Sequence, residues 1–250
     1  MTMTARQALA GLIDLADDYD RSWSVGDGVE ERFLLFFDAP DARANDVVRV
    51  AEALGMPADA VAAWWQGLAG ADAMGLAVNR DLSSVRLYLQ YWDRHLARLE
   101  SGNFDDFILY RGIKSSAAGL RQDDYICTPL APRDLFWPLI QDSLTGLGMG
   151  AADVAASFAA LDDDTCILTR TIAPGRQSWL TTVRRADLDR TAWGAALAGL
   201  PDQPWARDVQ THAKGADLLH LAGGQDAAKG RFTSLYFTAT ADDLRRGLDL

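Results

Sequence analysis

Asp20-Arg21-Ser22-Trp23-Ser24-Val25, then Gly26-Asp27-Gly28, then Glu30-Glu31-Arg32-Phe33-Leu34-Leu35-Phe36-Phe37: two strand-like runs joined by a Gly-Asp-Gly turn. Side chains alternate across a strand, so Phe33, Leu35 and Phe37 share one face while Glu30, Arg32, Leu34 and Phe36 share the other. The Gly-Asp-Gly link is tight-turn chemistry, and the pair reads as a hairpin. The same unit recurs along the chain. Met74–Asn79 pairs with Ser84–Trp92, Phe104–Ile113 with Leu120–Thr128, Thr165–Ile172 with Ser178–Arg185, and Asp217–Ala222 with Arg231–Thr238. The links are Arg80–Ser83, Ser115–Gly119, Ala173–Arg176 and Gly223–Gly230, all rich in turn residues. Helical spacing marks Ala5–Tyr19, Ala42–Leu54, Ala58–Leu68, Asp93–Glu100, Arg133–Leu147, Asp187–Leu197, Pro204–Lys214 and Ala241–Leu250.

Five hairpins separated by helices give an α+β chain with ten antiparallel strands. Helices that follow each hairpin cover one sheet face, and the aliphatic faces of the strands are the ones to be covered. Closing ten such strands into a barrel ringed by helices removes the exposed edges. The opposite faces mix cations, aromatics and hydroxyls. In a closed barrel they line a lumen; in an open sheet they face water. No linker divides the chain, so residues 1–250 are expected to form a single domain.

Composition narrows the partners. The chain has 250 residues, 49% hydrophobic and 24% charged, with a net charge of -11. That acidity opposes nucleic-acid binding, because phosphate backbones call for a basic surface. No apolar run is long enough to cross a bilayer, so no membrane partner is expected. The acidic stretch after the first helix does not resemble a cleavable signal. Cys127 and Cys166 have no metal-ligand spacing and read as reduced thiols, which makes a cytoplasmic location the expectation.

Cations on the second face are the informative feature. Arg32, Arg86 and Lys229 or Arg231 sit on or beside strands of three hairpins, and Arg170 and Arg184 add a fourth. Taken singly, each pairs readily with an acid on a wet face. Gathered in one lumen they repel by several kcal/mol at intermediate dielectric and call for a polyanion. A diphosphate suits them, since guanidinium binds phosphate oxygens in bidentate fashion. Tyr88, Tyr125 and Tyr236 fall beside these cations, where their π faces can flank a carbocation.

Glu31-Arg32-Phe33-Leu34-Leu35-Phe36-Phe37-Asp38 resembles the second-strand motif of the cyanobactin-type peptide prenyltransferases, small members of the ABBA or prenyltransferase-barrel superfamily. Gly75-Leu76 through Ser84-Val85-Arg86-Leu87-Tyr88 resembles that family's next hairpin. Leu221-Ala222-Gly223-Gly224-Gln225, with Lys229, Arg231 and Leu235-Tyr236-Phe237, resembles its closing hairpin. The resemblance implies an enzyme that ionises dimethylallyl diphosphate and passes the short isoprenyl cation to a side chain of a ribosomal peptide. It implies that Arg32, Arg86, Lys229 and Arg231 hold the diphosphate, that Tyr88, Tyr236 and Tyr125 shield the cation, and that Mg²⁺ comes bound with the diphosphate. For the family's proton-accepting glutamate the positions available are Asp20 and Glu30. Two alternatives stand beside it: an aromatic small-molecule prenyltransferase of the same fold, and a non-catalytic barrel that binds peptide or isoprenyl diphosphate. An open sheet without a polyanion site is a third.

Other motifs carry less. Asp17-Asp18-Tyr19-Asp20 and Asp162-Asp163-Asp164 lack the full spacing of Mg²⁺ motifs in helical prenyl-chain enzymes and read as a helix end and a turn. Gly146, Gly148 and Gly150 follow a helix rather than a strand, unlike a dinucleotide fingerprint. His95, His212 and His220 share no ligand spacing. Trp137 and Trp179 read as core or as an acceptor pocket wall.

Overall fold

In the computed structural model the strands close on themselves. The structure describes residues 4–38, 40–162, 166–173, 175–184, 186–227 and 229–250. Ten strands are seen there: β1 (Asp18–Val25), β2 (Val29–Phe37), β3 (Ala73–Asn79), β4 (Ser84–Gln90), β5 (Phe107–Ser116), β6 (Gly119–Thr128), β7 (Ile167–Ala173), β8 (Arg176–Thr182), β9 (Leu218–Asp226) and β10 (Gly230–Thr238). All neighbours run antiparallel, and β1 pairs with both β2 and β10, which closes the barrel.

The five hairpin turns therefore share one end of the barrel, and the helical connections share the other. Helices α1 (Ala5–Ile13), α2 (Pro40–Ala53), α3 (Ala58–Leu68), α4 (Trp92–Ser101), α5 (Arg133–Gly146), α6 (Ala151–Ser157), α7 (Arg190–Ala198), α8 (Pro204–His212) and α9 (Ala241–Leu248) ring the outside. Two apolar layers lie between helices and barrel. One joins α1–α3 and α9 to Phe33, Leu35, Phe37, Leu76, Leu87 and Leu89. The other joins α5–α8 to Trp23, Leu168, Trp179, Leu221, Leu235 and Phe237. These are the strand faces that alternation assigns to the helices, and full burial of each such side chain contributes roughly 1.5–3 kcal/mol.

Several boundaries differ from the sequence reading. The opening helix stops at Ile13, because Asp18 and Tyr19 already belong to β1, paired with Phe36 and Leu35. Helix α6 follows the Gly146–Gly150 stretch instead of a plain loop. Strand β5 runs on past Ile113 to Ser116, and β9 runs through Gly223 and Gly224 to Asp226. Strand β8 begins at Arg176, inside the expected turn. Of that turn, Pro174 lies outside the described residues, as do Thr165 and Arg185 of the expected strands and Asp163 and Asp164 of the acid run.

Candidate active site

At the turn end, register brings the cations together. Arg32 on β2 lies between Ser22 and Asn79, and Arg86 on β4 lies between Ala77 and Lys114 of β5. Arg86 and Lys114 are thus direct cross-strand neighbours on the inner face. The β1–β2 turn fixes a fourth cation. Asp27 N donates to Lys229 O at 3.0 Å, and a Cβ on Gly26 would stand 2.6 Å from that oxygen. Only glycine lets the two turns approach this closely. Glu30 takes ion pairs from Lys229 and, at 3.7 Å, from Lys114.

Charge sets the state of each group. Burial alone would raise the Glu30 carboxyl, but Arg32, Lys229 and Lys114 outweigh it and hold the group down to about 2. Lys114 is lowered to about 8 by burial and by Arg86, Lys229 and Arg32, with Glu30 opposing. Lys229 is lowered too, by burial and Arg32. Two like charges 4 Å apart repel by about 4 kcal/mol at an effective dielectric of 20, so this group of cations is costly without an anion. Below it an ionic plug closes the turn end: Arg121 and Arg176 both pair with buried Asp226, at 3.1 and 3.0 Å. Arg121 also pairs with buried Asp123 at 3.1 Å, which in turn stands 3.9 Å from Arg86.

Next along the lumen comes a belt of tyrosines. Arg86 Nη1 donates to Tyr88 Oη at 2.7 Å and to Tyr125 Oη at 3.2 Å. Arg32 Nη2 donates to Tyr236 Oη at 3.2 Å and Ser234 Oγ at 3.3 Å, while its buried Nε has no hydrogen-bond partner among the described residues. Tyr88 and Tyr125 lie 6.2 Å apart between ring centroids, and Tyr110 meets Tyr125 edge-on at the same separation. Gly112 makes room for the first of these rings, since a Cβ there would touch Tyr88 Cε1 at 3.0 Å. Burial pushes the Tyr110 and Tyr125 hydroxyls up, so both stay neutral. Burial would do the same to Tyr88, but Arg86 and Arg32 draw it down.

The helix-connection end has another chemistry. Asp20 is raised to about 7, by burial and by Asp18, with Arg184 opposing. His220 is lowered to about 4 by burial and by Arg184, and its Nδ1 lies 3.0 Å from Thr182 Oγ1. At neutral pH this imidazole is uncharged. Trp92, Leu96, Leu99 and Leu130 add apolar wall. One cavity of about 800 Å³ runs from Glu30, Arg32, Arg86 and Lys114, past Tyr88, Tyr125 and Tyr236, to Asp20, His220 and Arg184. That size is typical of a small-ligand site.

The structure thus gathers Arg32, Arg86, Lys229, Glu30, Tyr88, Tyr125, Tyr236 and Asp20 in or against one lumen. The other three expected cations do not join the cluster at the turn end. Arg170 points outward from β7, because Thr169 and Thr171 take the inner face, and its Nη2 donates to Asp106 Oδ2 at 2.8 Å. Arg231 shares the outer face with Leu235 and pairs with Asp142 at 3.0 Å. Arg184 stands on the rim, past the end of β8, paired with Asp18 at 3.5 Å. Trp137 packs against Phe158, and Trp179 is buried beneath the helices, so neither walls the cavity. Sequence reasoning missed Lys114, Arg121, Arg176 and Tyr110. The two-residue alternation Tyr110, Gly112, Lys114 was the signal for two of them.

No protein-family model matches the chain, and no curated protein matches it in sequence. Among solved structures it is similar to 5-dimethylallyltryptophan synthase from Streptomyces coelicolor, at 14% identity over 91% of this chain and 83% of that one, with a TM-score of 0.51. It is also similar to PriB, solved as a binary complex with product diphosphate, at 13% identity over 91% and 82% of the two chains, with a TM-score of 0.53. The likeness is one of fold: the closed ten-stranded antiparallel barrel ringed by helices, the ABBA architecture.

Proposed function

We propose that this barrel is a prenyltransferase that moves a dimethylallyl group from its diphosphate to a nucleophile entering from the helix-connection end. One observation carries the reading. Arg32, Arg86, Lys114 and Lys229 gather at the foot of a tyrosine-lined lumen with two acids among them, Glu30 paired with the two lysines and Asp123 standing 3.9 Å from Arg86. A diphosphate supplies the negative charge this cluster lacks. The allylic C–O bond breaks heterolytically and its electron pair leaves with the diphosphate, held by guanidinium and ammonium groups. Tyr88, Tyr125 and Tyr236 flank the allylic cation, each contact worth roughly 0.5–2 kcal/mol. The acceptor atom then forms the new bond and loses its proton to the Asp20 carboxylate, whose raised affinity suits that role near neutrality. Glu30, held down to about 2, is a counterion and a poor base.

Mg²⁺ enters this reading with the diphosphate, where it neutralises phosphate charge and keeps phosphate and water oxygens as ligands. The chain's own acids fit that arrangement. Glu30 is engaged by two lysines and Asp123 by two arginines, and among the described residues no group of three His, Cys, Asp or Glu could cage a metal. The acceptor in this reading is a peptide side chain, which the exposed Leu96 and Leu130 at the mouth would receive. The activity named for the Streptomyces coelicolor structure favours a second reading, a free indole acceptor such as tryptophan. The two buried thiols, Cys127 and Cys166, fit a cytoplasmic protein.

Incubation with dimethylallyl diphosphate and a panel of short peptides, with free tryptophan as competitor, tests this by mass spectrometry. Gain of one isoprenyl unit on a peptide supports the first reading, and modification of tryptophan alone supports the second. Diphosphate binding without any turnover would leave a non-catalytic barrel.

A further inference from the structure

At the helix-connection end of the lumen the charge imbalance of the turn end is reversed. Asp18, Asp20, Asp38 and Arg184 are its charged lining. Arg184 pairs with Asp18 at 3.5 Å on the exposed rim, and among the described residues no cation pairs with Asp20 or Asp38. Asp38 is exposed and keeps its water. Asp20 stands on the inner face of β1, beside Leu34 of β2 and Thr238 of β10, and among the described residues its carboxylate has neither a hydrogen bond nor an ion pair. Arg184 acts on it from the rim, but burial and the repulsion of Asp18 both outweigh that attraction. A carboxylate left without a partner in a half-closed lumen carries a desolvation cost that an entering cation relieves.

The polar groups around Asp20 accept hydrogen bonds. Gln90 on β4 gives its Nε2 to Asp72 at 3.4 Å, which leaves its carbonyl oxygen as the free end. His220 Nδ1 lies 3.0 Å from Thr182 Oγ1, and with Nδ1–H given to that hydroxyl the Nε2 of the uncharged ring is an acceptor. Asp20, Gln90 and His220 come from β1, β4 and β9, so these acceptors are spread around the wall and a single N–H or O–H cannot serve them all. Trp92 and Tyr110 supply flat faces at this end. The Tyr110 hydroxyl feels the Asp20 charge and its ring meets Tyr125 edge-on, so this acceptor-rich ring borders the tyrosine belt. A phenol or an indole brings a single donor. A guanidinium brings several in a planar fork, binds a carboxylate in bidentate fashion and stacks on aromatic rings.

We infer that the group modified is a guanidinium, an arginine side chain of the peptide, held by its N–H groups on Asp20 and directed towards Gln90 and His220. The inference rests on the prenyl-transfer reading with a peptide acceptor and names the side chain which that reading leaves open. The donor's C–O bond breaks and its electron pair leaves with the diphosphate. A guanidino nitrogen supplies the pair for the new C–N bond and its proton passes to the Asp20 carboxylate, so the arginine keeps its single positive charge.

The test uses one short labelled peptide in three forms, with arginine, its neutral isostere citrulline, or lysine at the same position. Fluorescence anisotropy reads their affinities for the full-length protein, with and without a non-hydrolysable dimethylallyl diphosphate analogue. Salt of about 0.15 M screens the field of the acidic surface beyond about 8 Å. Wild type is expected to bind the arginine form at least about tenfold tighter than the citrulline form, the scale of one charge-assisted pair. Asp20→Asn should remove that preference and Asp20→Glu, which restores the charge, should keep it, while both bind the analogue as wild type does. Gln90→Leu should weaken the arginine form by about three- to tenfold, the loss of one hydrogen bond, and leave the lysine form unchanged. With dimethylallyl diphosphate itself, mass spectrometry should place the isoprenyl unit on arginine. Equal binding of the arginine and citrulline forms by wild type, or a preference that survives Asp20→Asn, would overturn the inference. So would an isoprenyl unit on lysine, tyrosine or tryptophan and none on arginine. If the analogue fails to bind wild type while an Asp20-dependent arginine preference persists, the transfer reading falls and the guanidinium site stands.

Discussion

The two ends of one lumen treat a carboxylate in opposite ways. At the turn end Glu30 sits among Arg32, Lys114 and Lys229 and is held down to about 2. At the helix-connection end Asp20 is raised to about 7 by burial and by Asp18. Both lie on inward positions of adjacent strands, and Ser24 and Glu30 are direct partners in the register. Neighbouring charge separates them far more than side-chain chemistry does. One acid is a fixed counterion and the other a group that can take up a proton, a division of labour set by environment.

That contrast can be broken by substitution. Asp20→Asn is expected to lower turnover by about 10²–10⁴-fold, the usual span for a lost general base, with diphosphate-analogue affinity unchanged. Wild-type turnover should fall as pH drops below about 7, where Asp20 becomes protonated, and a pH-rate profile checks it. Arg86→Ala removes a buried cation bonded to Tyr88, Tyr125 and the Asp123 pair. Loss of about 2–5 kcal/mol is expected, which calorimetry reads as analogue binding weakened roughly 30-fold or more. Lys114→Met should weaken the analogue by one charge-assisted bond, about 1.5–3 kcal/mol. In wild type the affinity should decline as pH rises through about 8, where Lys114 gives up its proton, and Lys114→Arg should remove that decline.

Stability sharpens the same contrast by sign. Glu30 binds its proton more weakly folded than unfolded, so it stabilises above its ordinary range near 4.5 and that contribution is lost as pH falls towards 2. Glu30→Gln should lower the melting temperature at pH 7 and lower it much less at pH 2.5, where most of that contribution has gone. Asp20 binds its proton more tightly when folded, so stability falls as pH rises from its ordinary 3.8 to about 7. Asp20→Asn should therefore raise the melting temperature at pH 8. The smallest effects belong to Arg170→Ala and Arg231→Ala, whose exposed pairs contribute about 0–1 kcal/mol and touch no part of the lumen. A Glu30→Gln variant that loses turnover as fully as Asp20→Asn would exchange the two roles.

The barrel was readable in the sequence because alternation is a local property. Phe33, Leu35 and Phe37 face the helices, and Arg32 and Arg86 face inward, as a period of two requires. Arg231 could have been rejected on the same grounds, since it shares parity with Leu235 and not with Tyr236. Lys114 and Arg176 were hidden by turn chemistry. Ser115–Gly119 reads as a loop and Ala173–Arg176 as a turn, yet ladders with β4 and with β9 carry the strands through both ends. The Asp20 shift depends on Asp18, Arg184 and burial by strands far along the chain, and no local pattern announces it. The ionic plug of Arg121, Asp123, Arg176 and Asp226 is likewise a product of closure.

Calorimetric titration with a non-hydrolysable dimethylallyl diphosphate analogue and Mg²⁺, on wild type, Arg86→Ala and Arg231→Ala, bears most directly on the turn end as a diphosphate site. Saturable binding by wild type and Arg231→Ala, collapsing in a folded Arg86→Ala, is the expected result. No binding by wild type, or equal binding by Arg86→Ala, would contradict it and leave only the shared barrel.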